Sequence, residues 1–352
     1  MTDYLIVGSG LAGISFAEKA INEEKSIVVF DHNKNSSSRI AGGLYNPVIL
    51  KRFSEVWRAK EQLELLEVFY TEIERKLNVN VDFKMPILRK FYSIEEQNDW
   101  FTASDKPNLS DFLSTKIITS KINGIDSPFN YGEVLHTGYV DTRLLLDTYK
   151  EYLTSQNCLV EAVFDYDAIV FKENHIEYKS IKARHIIFAE GFGIHSNRYF
   201  RYLPVDGTKG ELFIIKAQNL NLDVIVNTSV FILPLGGHLF KVGATYDPID
   251  KTQLPTEDGK QLLIERINEI LNCDFEIIEH FAGIRPTVKD RRPLIGTHPN
   301  YKNLHVINGL GTRGVMLGPQ MAKELFENIE YGKPIDKEAD IKRYQKRLSM
   351  FI

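Results

Sequence analysis

The chain has 352 residues, which is enough to bury a large core and to form two domains or lobes. Its hydrophobic and charged fractions, 43% and 26%, are ordinary for a soluble protein, and a net charge of −4 gives no general attraction to nucleic acid or to a membrane surface. The chain has only two cysteines, far apart in sequence, which argues against a disulfide scaffold. It has no apolar run of about 20 residues, which argues against a membrane span. Its histidines do not have the spacing of metal ligands, which argues against a metal site. We expect a cytoplasmic protein without a signal peptide, because the first predicted strand starts at Tyr4.

The chain begins with a predicted strand, a glycine turn and a helix. An apolar run at 4–7 predicts a buried strand, and a G-x-G-x-x-G pattern at 8–13 follows it directly. Apolar residues then recur at helical spacing over 11–21, and a second apolar run at 27–30 ends on Asp31. This order of strand, turn, helix, strand and acid predicts a dinucleotide-binding unit.

Each conspicuous residue of this unit has a separate physical role. Gly8 permits the tight turn, Gly10 allows the backbone to approach a pyrophosphate, and Gly13 allows the helix to pack on the strand. The helix N-terminus offers free N–H groups to the phosphates, and Asp31 lies close to the ~20 residues beyond the turn where an acid binds a ribose hydroxyl. The alternative is a tight strand–helix turn without a ligand.

The next part of the chain mixes elements of both kinds. Small residues at 41–44 would allow a ligand to approach the backbone, although an ordinary flexible turn would also explain them. Apolar spacing predicts a helix near 56–73, and 85–135 is expected to hold short strands and turns. A further helix is predicted after 138–141.

The second half of the chain favours strands. We expect strands near 158–164, 168–173 and 184–189, then an antiparallel sheet with strands in 211–216, 229–233 and 238–244 and a helix over 262–271. The predicted fold class is α/β, α+β overall, with a Rossmann-type nucleotide lobe and an inserted lobe built on an antiparallel sheet. The predicted nucleotide lobe comprises 1–45, 138–200 and 282–352, and the substrate lobe comprises 46–137 and 201–281.

A second G-x-G-x-x-G pattern lies at 309–314, between a predicted strand at 304–307 and a helix that runs to about 329. No further strand ending in an acid follows it, so a second nucleotide fold is not expected. We interpret it as a glycine loop at a helix N-terminus that points at an electron-rich group, with glycine-assisted packing as the alternative. The two patterns together suggest one nucleotide cofactor, held by the start and the end of the chain.

These motifs, in this order, resemble the D-amino-acid oxidase family of FAD-dependent oxidoreductases, which includes glycine oxidase and sarcosine oxidase. The resemblance rests on the first glycine motif with Asp31 and on the segments 41–44, 189–191, 209–211, 241–245, 282–286, 290–296 and 308–318. It implies FAD contacts from Gly8, Gly10, Leu11, Ala12, Gly13, Asp31, His32, Arg39, Ala41, Gly42, Gly43, Leu44, Val163, Ala189, Gly191, Gly309, Gly311, Thr312, Arg313, Gly314 and Val315.

Within that family, segments 43–47, 309–314 and 332–335 resemble the flavin domain of the bifunctional tRNA 5-methylaminomethyl-2-thiouridine synthesis protein, MnmC. That resemblance implies an alternative function, the removal of a carboxymethyl group from a modified uridine in tRNA. Such an enzyme needs a basic face. Lys51, Arg52 and Lys289 are among the candidates, but we favour solvated surface charge over a tRNA site.

The chain departs from the family pattern at several positions. Asp31 stands where the family has Glu, and Glu190 follows Ala189 where the family has Thr, which places a carboxylate near the flavin lobe. No cysteine lies near 284–285, where sarcosine oxidases attach the flavin, so FAD is expected to be non-covalent. Phe231 occupies the position of an aromatic residue that closes over a small substrate, and it lacks a hydroxyl.

The resemblance implies oxidation of a C–N bond in a small amine or amino acid to an imine that water hydrolyses, with oxygen or another electron acceptor. The helix N-terminus at 311–315 would stabilise negative charge on the flavin. Lys241 is expected to assist the reaction with oxygen; the alternative is a strand lysine that faces solvent.

Arg285 is the predicted substrate-binding residue. Its planar guanidinium can make two parallel hydrogen bonds to a carboxylate, and Pro286 biases it toward extended backbone. Gly283 is expected to leave room beside it. The alternative is an ion pair between Arg285 and either Asp290 or Glu190.

Overall fold

The computed structural model describes residues 1–32 and 36–350. The elements through residue 58 are β1 (Thr2–Val7), α1 (Leu11–Asn22), β2 (Ile27–Asp31), α2 (Ser37–Ile40), β3 (Leu44–Tyr45), β4 (Val48–Ile49) and β5 (Ser54–Glu55). The next are α3 (Ala59–Leu77), β6 (Asp82–Lys84), β7 (Ile87–Lys90), α4 (Ile94–Ser104), β8 (Leu113–Ile118), β9 (Tyr131–Val134), β10 (Gly138–Val140) and α5 (Thr142–Ser155).

The second half of the chain is richer in strands. It contains β11 (Leu159–Glu161), β12 (Ile169–Phe171), β13 (Ile176–Tyr178), β14 (Ile181–Phe188), β15 (Thr208–Lys216), β16 (Ile225–Asn227), β17 (Phe231–Gly236) and β18 (Leu239–Gly243). The chain ends with α6 (Glu257–Asn268), β19 (Glu276–Arg285), β20 (Leu294–His298), β21 (Tyr301–Asn308), α7 (Gly314–Tyr331) and α8 (Gln345–Leu348).

One eight-stranded sheet has a parallel centre. β1 lies between β2 and β14, β11 pairs with β2, and β21 pairs with the last residues of β14, all in parallel. Strand β1 is buried on both faces, as strands inside parallel sheets are. Tyr4 and Ile6 belong to the core under α1 and α7, whereas Leu5 and Val7 belong to the core on the opposite face.

A second eight-stranded sheet has the order β19-β15-β18-β17-β16-β7-β9-β8 and is antiparallel except where β16 pairs with β7. Leu263 and Ile267 of α6 pack into the same core as Phe213 and Val242 of this sheet. Because β19 and β18 both pair with β15, the ends of three strands that are distant in sequence lie side by side.

The α/β class is confirmed, and the differences from the sequence-based elements are local. Helix α4 and strand β13 were not expected, and α6 begins at Glu257 rather than 262 because the Thr256 hydroxyl accepts a hydrogen bond from the Gly259 N–H at 3.0 Å. The division of the chain into two lobes remains a prediction, and β19 runs across the expected boundary at 281/282.

No helix formed by residues 1–32 and 36–350 is both long and apolar enough to cross a membrane. Over the same ranges, no group of three or more His, Cys, Asp or Glu side chains could hold a metal ion.

Candidate functional site

A cavity of about 730 Å³ lies where the two glycine motifs meet. Gly8, Gly10, Leu11 and Ala12 line it from the start of the chain. Gly311, Thr312, Gly314 and Val315 line it from the end of the chain. The two glycine patterns therefore contribute to one site, as the sequence suggested.

The three glycines of the first turn are required for different reasons. Gly8 has a φ of +98°, and a Cβ there would lie 2.6 Å from the Ala189 carbonyl oxygen. A Cβ on Gly13 would overlap the carbonyl oxygen of Gly8, so this glycine lets α1 pack on the turn and does not itself line the cavity. A Cβ on Gly10 would meet only the Ser38 hydroxyl, at 3.1 Å, so the space beside Gly10 is left for a ligand.

The acid at the end of β2 also lies on the cavity. Asp31 accepts a hydrogen bond from the Ser9 hydroxyl, and both side chains line the cavity together with His32. Arg39 lies on a smaller cavity of about 260 Å³ beside it, where its guanidinium pairs with Asp147 at 2.5 Å. The structure therefore places Arg39 next to the main cavity and not on its wall.

The loop before α7 divides into lining and supporting residues. Gly309 (φ +71°) does not line the cavity and packs against Val288 and Leu294. A Cβ on Gly314 would lie 2.9 Å from the Leu11 side chain, so the N-termini of α1 and α7 lie next to each other. Arg313 is also absent from the cavity wall.

The electrostatic setting of Arg313 is unusual. Its side chain is largely enclosed, and burial, with the nearby positive charges of Arg291 and Arg292, lowers its pKa to about 10. Arg291 and Arg292 are therefore near enough to Arg313 to disfavour its positive charge.

The remaining predicted lining residues are on the cavity wall. Ala41, Gly42, Gly43, Leu44, Val163, Ala189 and Gly191 all line it. Gly42 is covered by Phe231, because a Cβ on Gly42 would lie 2.6 Å from the Phe231 ring. Gly43 has a φ of +75° and packs on the Val140 carbonyl oxygen.

Arg285 ends β19 and faces the cavity. Its Nη1 donates to the carbonyl oxygens of Lys209 and Thr245, each at 3.3 Å, and burial lowers its pKa. No residue in 1–32 or 36–350 forms an ion pair with it. Among the described residues, this largely buried cation is thus held by neutral acceptors alone, which costs free energy unless an anion binds.

Both alternative partners of Arg285 are engaged elsewhere, so that alternative is wrong. Asp290 accepts a hydrogen bond from Tyr344 at 2.8 Å and pairs with Arg343 at 3.3 Å. Glu190 accepts hydrogen bonds from Tyr166 and Asn197.

The expected role of Gly283 is also wrong, since a Cβ there would strike Ile40. Gly210 makes the room instead, because a Cβ on it would overlap the guanidinium of Arg285.

Lys241 of β18 does not project freely into solvent. Its Nζ donates a hydrogen bond to the Ala41 carbonyl oxygen at 3.2 Å, and burial lowers its pKa. Lys241 is not on the cavity wall, but Ala41 is. The solvent-facing alternative is therefore wrong, and the ammonium lies directly behind the small-residue loop.

Several lining residues were missed by the sequence interpretation. Thr245, Tyr246 and Gln253 lie on the segment after β18, and Tyr166 and Ser196 lie on or beside short 3₁₀ helices. The only available signal was that Thr245 ends the 241–245 motif and Tyr246 follows it.

A buried lysine makes several contacts to the segment after β18. The Nζ of Lys209, which is 1% exposed, donates to Asp250 at 2.5 Å and to the Leu254 carbonyl. Tyr246 and Gln253 of this segment line the cavity, and Tyr246 lies near Arg285.

The residues present fit FAD. The helix N-termini of α1 and α7 face one cavity, which suits a diphosphate and an electron-rich ring. Asp31 at the end of β2 suits a ribose hydroxyl. The space beside Gly10, with no Cβ to fill it, suits the close approach of a pyrophosphate.

The comparison with protein families agrees with this geometry. The family model described as FAD dependent oxidoreductase, DAO, matches residues 3–328. The chain therefore belongs to the D-amino-acid oxidase family of FAD-dependent oxidoreductases, and the expected family, enzyme class and cofactor are confirmed.

Among individual proteins, the chain is similar to glycine oxidase of Bacillus subtilis (strain 168), with 23% identity over 209 residues, 54% of this chain and 56% of that protein. It is 22% identical over 361 residues to the bifunctional protein MnmC of Legionella pneumophila (strain Corby), covering 90% of this chain and 52% of that protein. The matched region thus spans about half the length of these curated relatives. The solved structure of iminodiacetate oxidase (IdaA) from Chelativorans sp. BNC1 has the same fold, with a TM-score of 0.78, 18% identity and coverage of 97% and 98% of the two chains.

Proposed function

We propose that this protein oxidises the C–N bond of a small amine or amino acid that carries a carboxylate. The observation that carries the proposal is the buried guanidinium of Arg285, which faces the cavity of the two glycine loops without a carboxylate partner among the described residues. Glycine oxidase and iminodiacetate oxidase, two of the similar proteins, are named for small amino-carboxylates, which supports the same substrate class.

We assign the cofactor to the wall formed by both glycine loops. Gly8, Gly10 and the start of α1 would hold the diphosphate, Asp31 the ribose, and the start of α7 the flavin end. Because no cysteine of the described chain lines the cavity, non-covalent binding is part of the proposal. We also propose that the protein is cytoplasmic and that its chain divides into the two lobes predicted from the sequence.

Bound FAD supplies the capacity to accept a hydride equivalent from the substrate carbon next to nitrogen. Arg285 binds and orients the carboxylate, and its two parallel N–H groups fix the plane of that group. Phe231, Leu44 and Leu212 give the adjacent wall an apolar surface that excludes water. The start of α7 stabilises negative charge at its end of the cavity. The Lys241 ammonium, which is a proton donor, lies behind Ala41.

The test is anaerobic mixing of the purified holoprotein with a panel of amines and amino acids, followed by flavin absorbance. We expect bleaching by a small amino acid with a free carboxylate and none by its carboxamide, because the carboxamide cannot pair with Arg285. Formation of the oxo acid and the released amine would identify the bond that is cleaved. Equal bleaching by acid and carboxamide, or no bleaching by any amine, would contradict the proposal.

A second candidate function is oxidation of a carboxymethyl-modified uridine in tRNA. It is favoured by the MnmC relative, whose alignment covers 90% of this chain. Lys51, Arg52 and Lys289 are exposed, whereas Arg58 and Arg292 are paired with acids. Two of the basic side chains are therefore neutralised by acids, which favours the small substrate. Including tRNA that carries the modified uridine in the anaerobic panel distinguishes the two.

A further inference from the structure

Glu190 is a buried acid on the cavity wall for which the proposed reaction has no use. It follows β14 and lines the cavity beside the first glycine turn, where a Cβ on Gly8 would lie 3.5 Å from the Glu190 Cα. Glu190 is partly exposed in this structure, and it belongs to the cavity wall. A carboxylate is an unexpected neighbour for a turn that is suited to a diphosphate, because the two negative charges repel each other.

The described residues around Glu190 offer hydrogen-bond donors but no cation. The Tyr166 hydroxyl donates to Oε1, and Asn197 Nδ2 donates to Oε2 at 2.7 Å. Asn197 is fixed in this orientation because its Oδ1 accepts the N–H groups of Tyr199 and Phe200. No Lys, Arg or His of the described chain pairs with Glu190, and His195 on the adjacent 3₁₀ helix contacts the Val205 carbonyl instead.

A neutral carboxyl fits the same contacts. With a proton on Oε1, Glu190 donates to the Tyr166 oxygen, since a phenol can accept as well as donate. Oε2 continues to accept from Asn197. Burial raises the pKa of Glu190 to about 7, against the lowering effect of its two donors. The charged and neutral forms are thus close in free energy at neutral pH before any ligand enters.

We propose that FAD binds to the form of this protein in which Glu190 is protonated, so that cofactor binding takes up one proton from solvent onto Glu190 Oε1. A dinucleotide in the cavity removes the remaining water from this carboxyl and brings a diphosphate to the neighbouring turn. Both effects disfavour the carboxylate. The inference rests on the proposed placement of FAD in this cavity.

The test is the pH dependence of FAD affinity, measured on apo-protein by the change in flavin fluorescence on binding. Between about pH 7 and pH 9 we expect the affinity of the parent protein to fall by up to about tenfold per pH unit, because the carboxylate must first be protonated. Glu190→Gln mimics the neutral form and keeps both contacts, so its affinity is expected to stay high and nearly constant. Proton uptake, followed with an indicator dye in weak buffer, should approach one per FAD in the parent and vanish in Glu190→Gln.

Two further variants make the assignment specific. Tyr166→Phe removes a donor that favours the charged form, so the fall in affinity should begin at higher pH. Whatever it does to the affinity itself, His32→Gln, which replaces the histidine on the cavity wall, should leave the fall of affinity with pH in place.

The outcomes separate the two proposals. A parent protein that binds no FAD refutes the proposed function. FAD binding whose pH dependence is the same in the parent and in Glu190→Gln, or a parent affinity that does not fall with pH, overturns the inference alone. If Glu190→Gln does not fold, the inference is still tested by the parent protein and by Tyr166→Phe. Absence of proton uptake on FAD binding by the parent, or an affinity that begins to fall at the same pH in Tyr166→Phe, would overturn it.

Discussion

At the residue scale, the proposed substrate-binding end of the cavity depends on one cation whose position is set by backbone contacts. The carbonyl oxygens of Lys209 and Thr245 hold the Arg285 guanidinium, and Gly210 provides the space beneath it. The pairing of β15 with β19 fixes Lys209, and the Thr245 N–H donates to the Glu211 carbonyl oxygen at 3.1 Å, which holds Thr245 to β15. The site is therefore organised before any substrate enters, which reduces the entropic cost of binding.

Replacing Arg285 should weaken carboxylate binding without loss of FAD. Arg285→Ala is expected to cost about 1.5–3 kcal/mol of binding free energy, as for a charged hydrogen-bond partner. Arg285→Lys should recover only part of this, because an ammonium cannot make the two parallel bonds. The measurement is titration of the flavin spectrum with small carboxylates, with Arg52→Ala as a surface control. Unchanged binding in a folded, FAD-containing Arg285→Ala protein would remove Arg285 from the site.

Lys241 gives a second prediction at this scale. Its ammonium lies behind the cavity wall and is held by the Ala41 carbonyl, which is a suitable place to stabilise negative charge formed when oxygen is reduced. Lys241→Met should slow reoxidation of the reduced flavin by oxygen and leave its reduction by substrate unchanged. Rapid mixing of reduced protein with oxygen measures the rate. An unchanged oxygen rate would show that Lys241 only supports the loop.

At the element scale, the β1–α1–β2 unit was predicted well because its signals are local. Four buried residues in a row, three glycines at fixed spacing and an acid lie within 31 residues of sequence. Helix α4 was missed because it buries only Trp100, Ala103 and Ser104 on a narrow stripe. The wall formed by Tyr246 and Gln253 could not be predicted, because strand pairing and the long-range contacts of Lys209 bring that segment to the cavity.

Two glycines of the first turn should respond oppositely to substitution. Gly10→Val is expected to fold and to lose FAD, because its side chain enters the space left for the ligand and meets only the flexible Ser38 side chain. Gly13→Ala should fail at folding, because its Cβ overlaps the Gly8 carbonyl. Thermal unfolding and flavin content of the two variants are the measurements. A Gly10→Val protein that retains FAD would contradict this role for the turn.

At the scale of the whole molecule, buried neutral histidines link stability to pH. Burial lowers the pKa of His185 and of His298 to about 4, and it lowers the pKa of His305 well below the usual value. His185 Nδ1 lies 3.1 Å from His305 Nε2, so a proton on either ring would face the other. Unfolding frees all three to take up protons.

We therefore expect stability to fall on acidification. Between the ordinary histidine pKa of about 6.5 and a folded value near 4, the unfolded chain binds more protons, and the free energy of unfolding falls as the pH is lowered. Each such histidine contributes up to about 1.4 kcal/mol per pH unit. His298→Asn keeps an acceptor for the Asn300 N–H and removes one titrating group. The free energy of unfolding of this variant, measured by denaturation at several pH values, should therefore fall less steeply as the pH is lowered. If the free energy of unfolding depended on pH equally in the parent and in His298→Asn, His298 would not contribute to the loss of stability in acid.

The central claim is that both glycine loops hold one FAD in one cavity. Mass spectrometry of the cofactor released on denaturation, with its amount measured against the amount of protein, tests this most directly. We expect FAD, freely released and present at one per chain, because the dinucleotide turn and the second helix N-terminus share a single cavity. Release of FMN or NAD, a cofactor that remains attached to the chain, or two nucleotides per chain would contradict it.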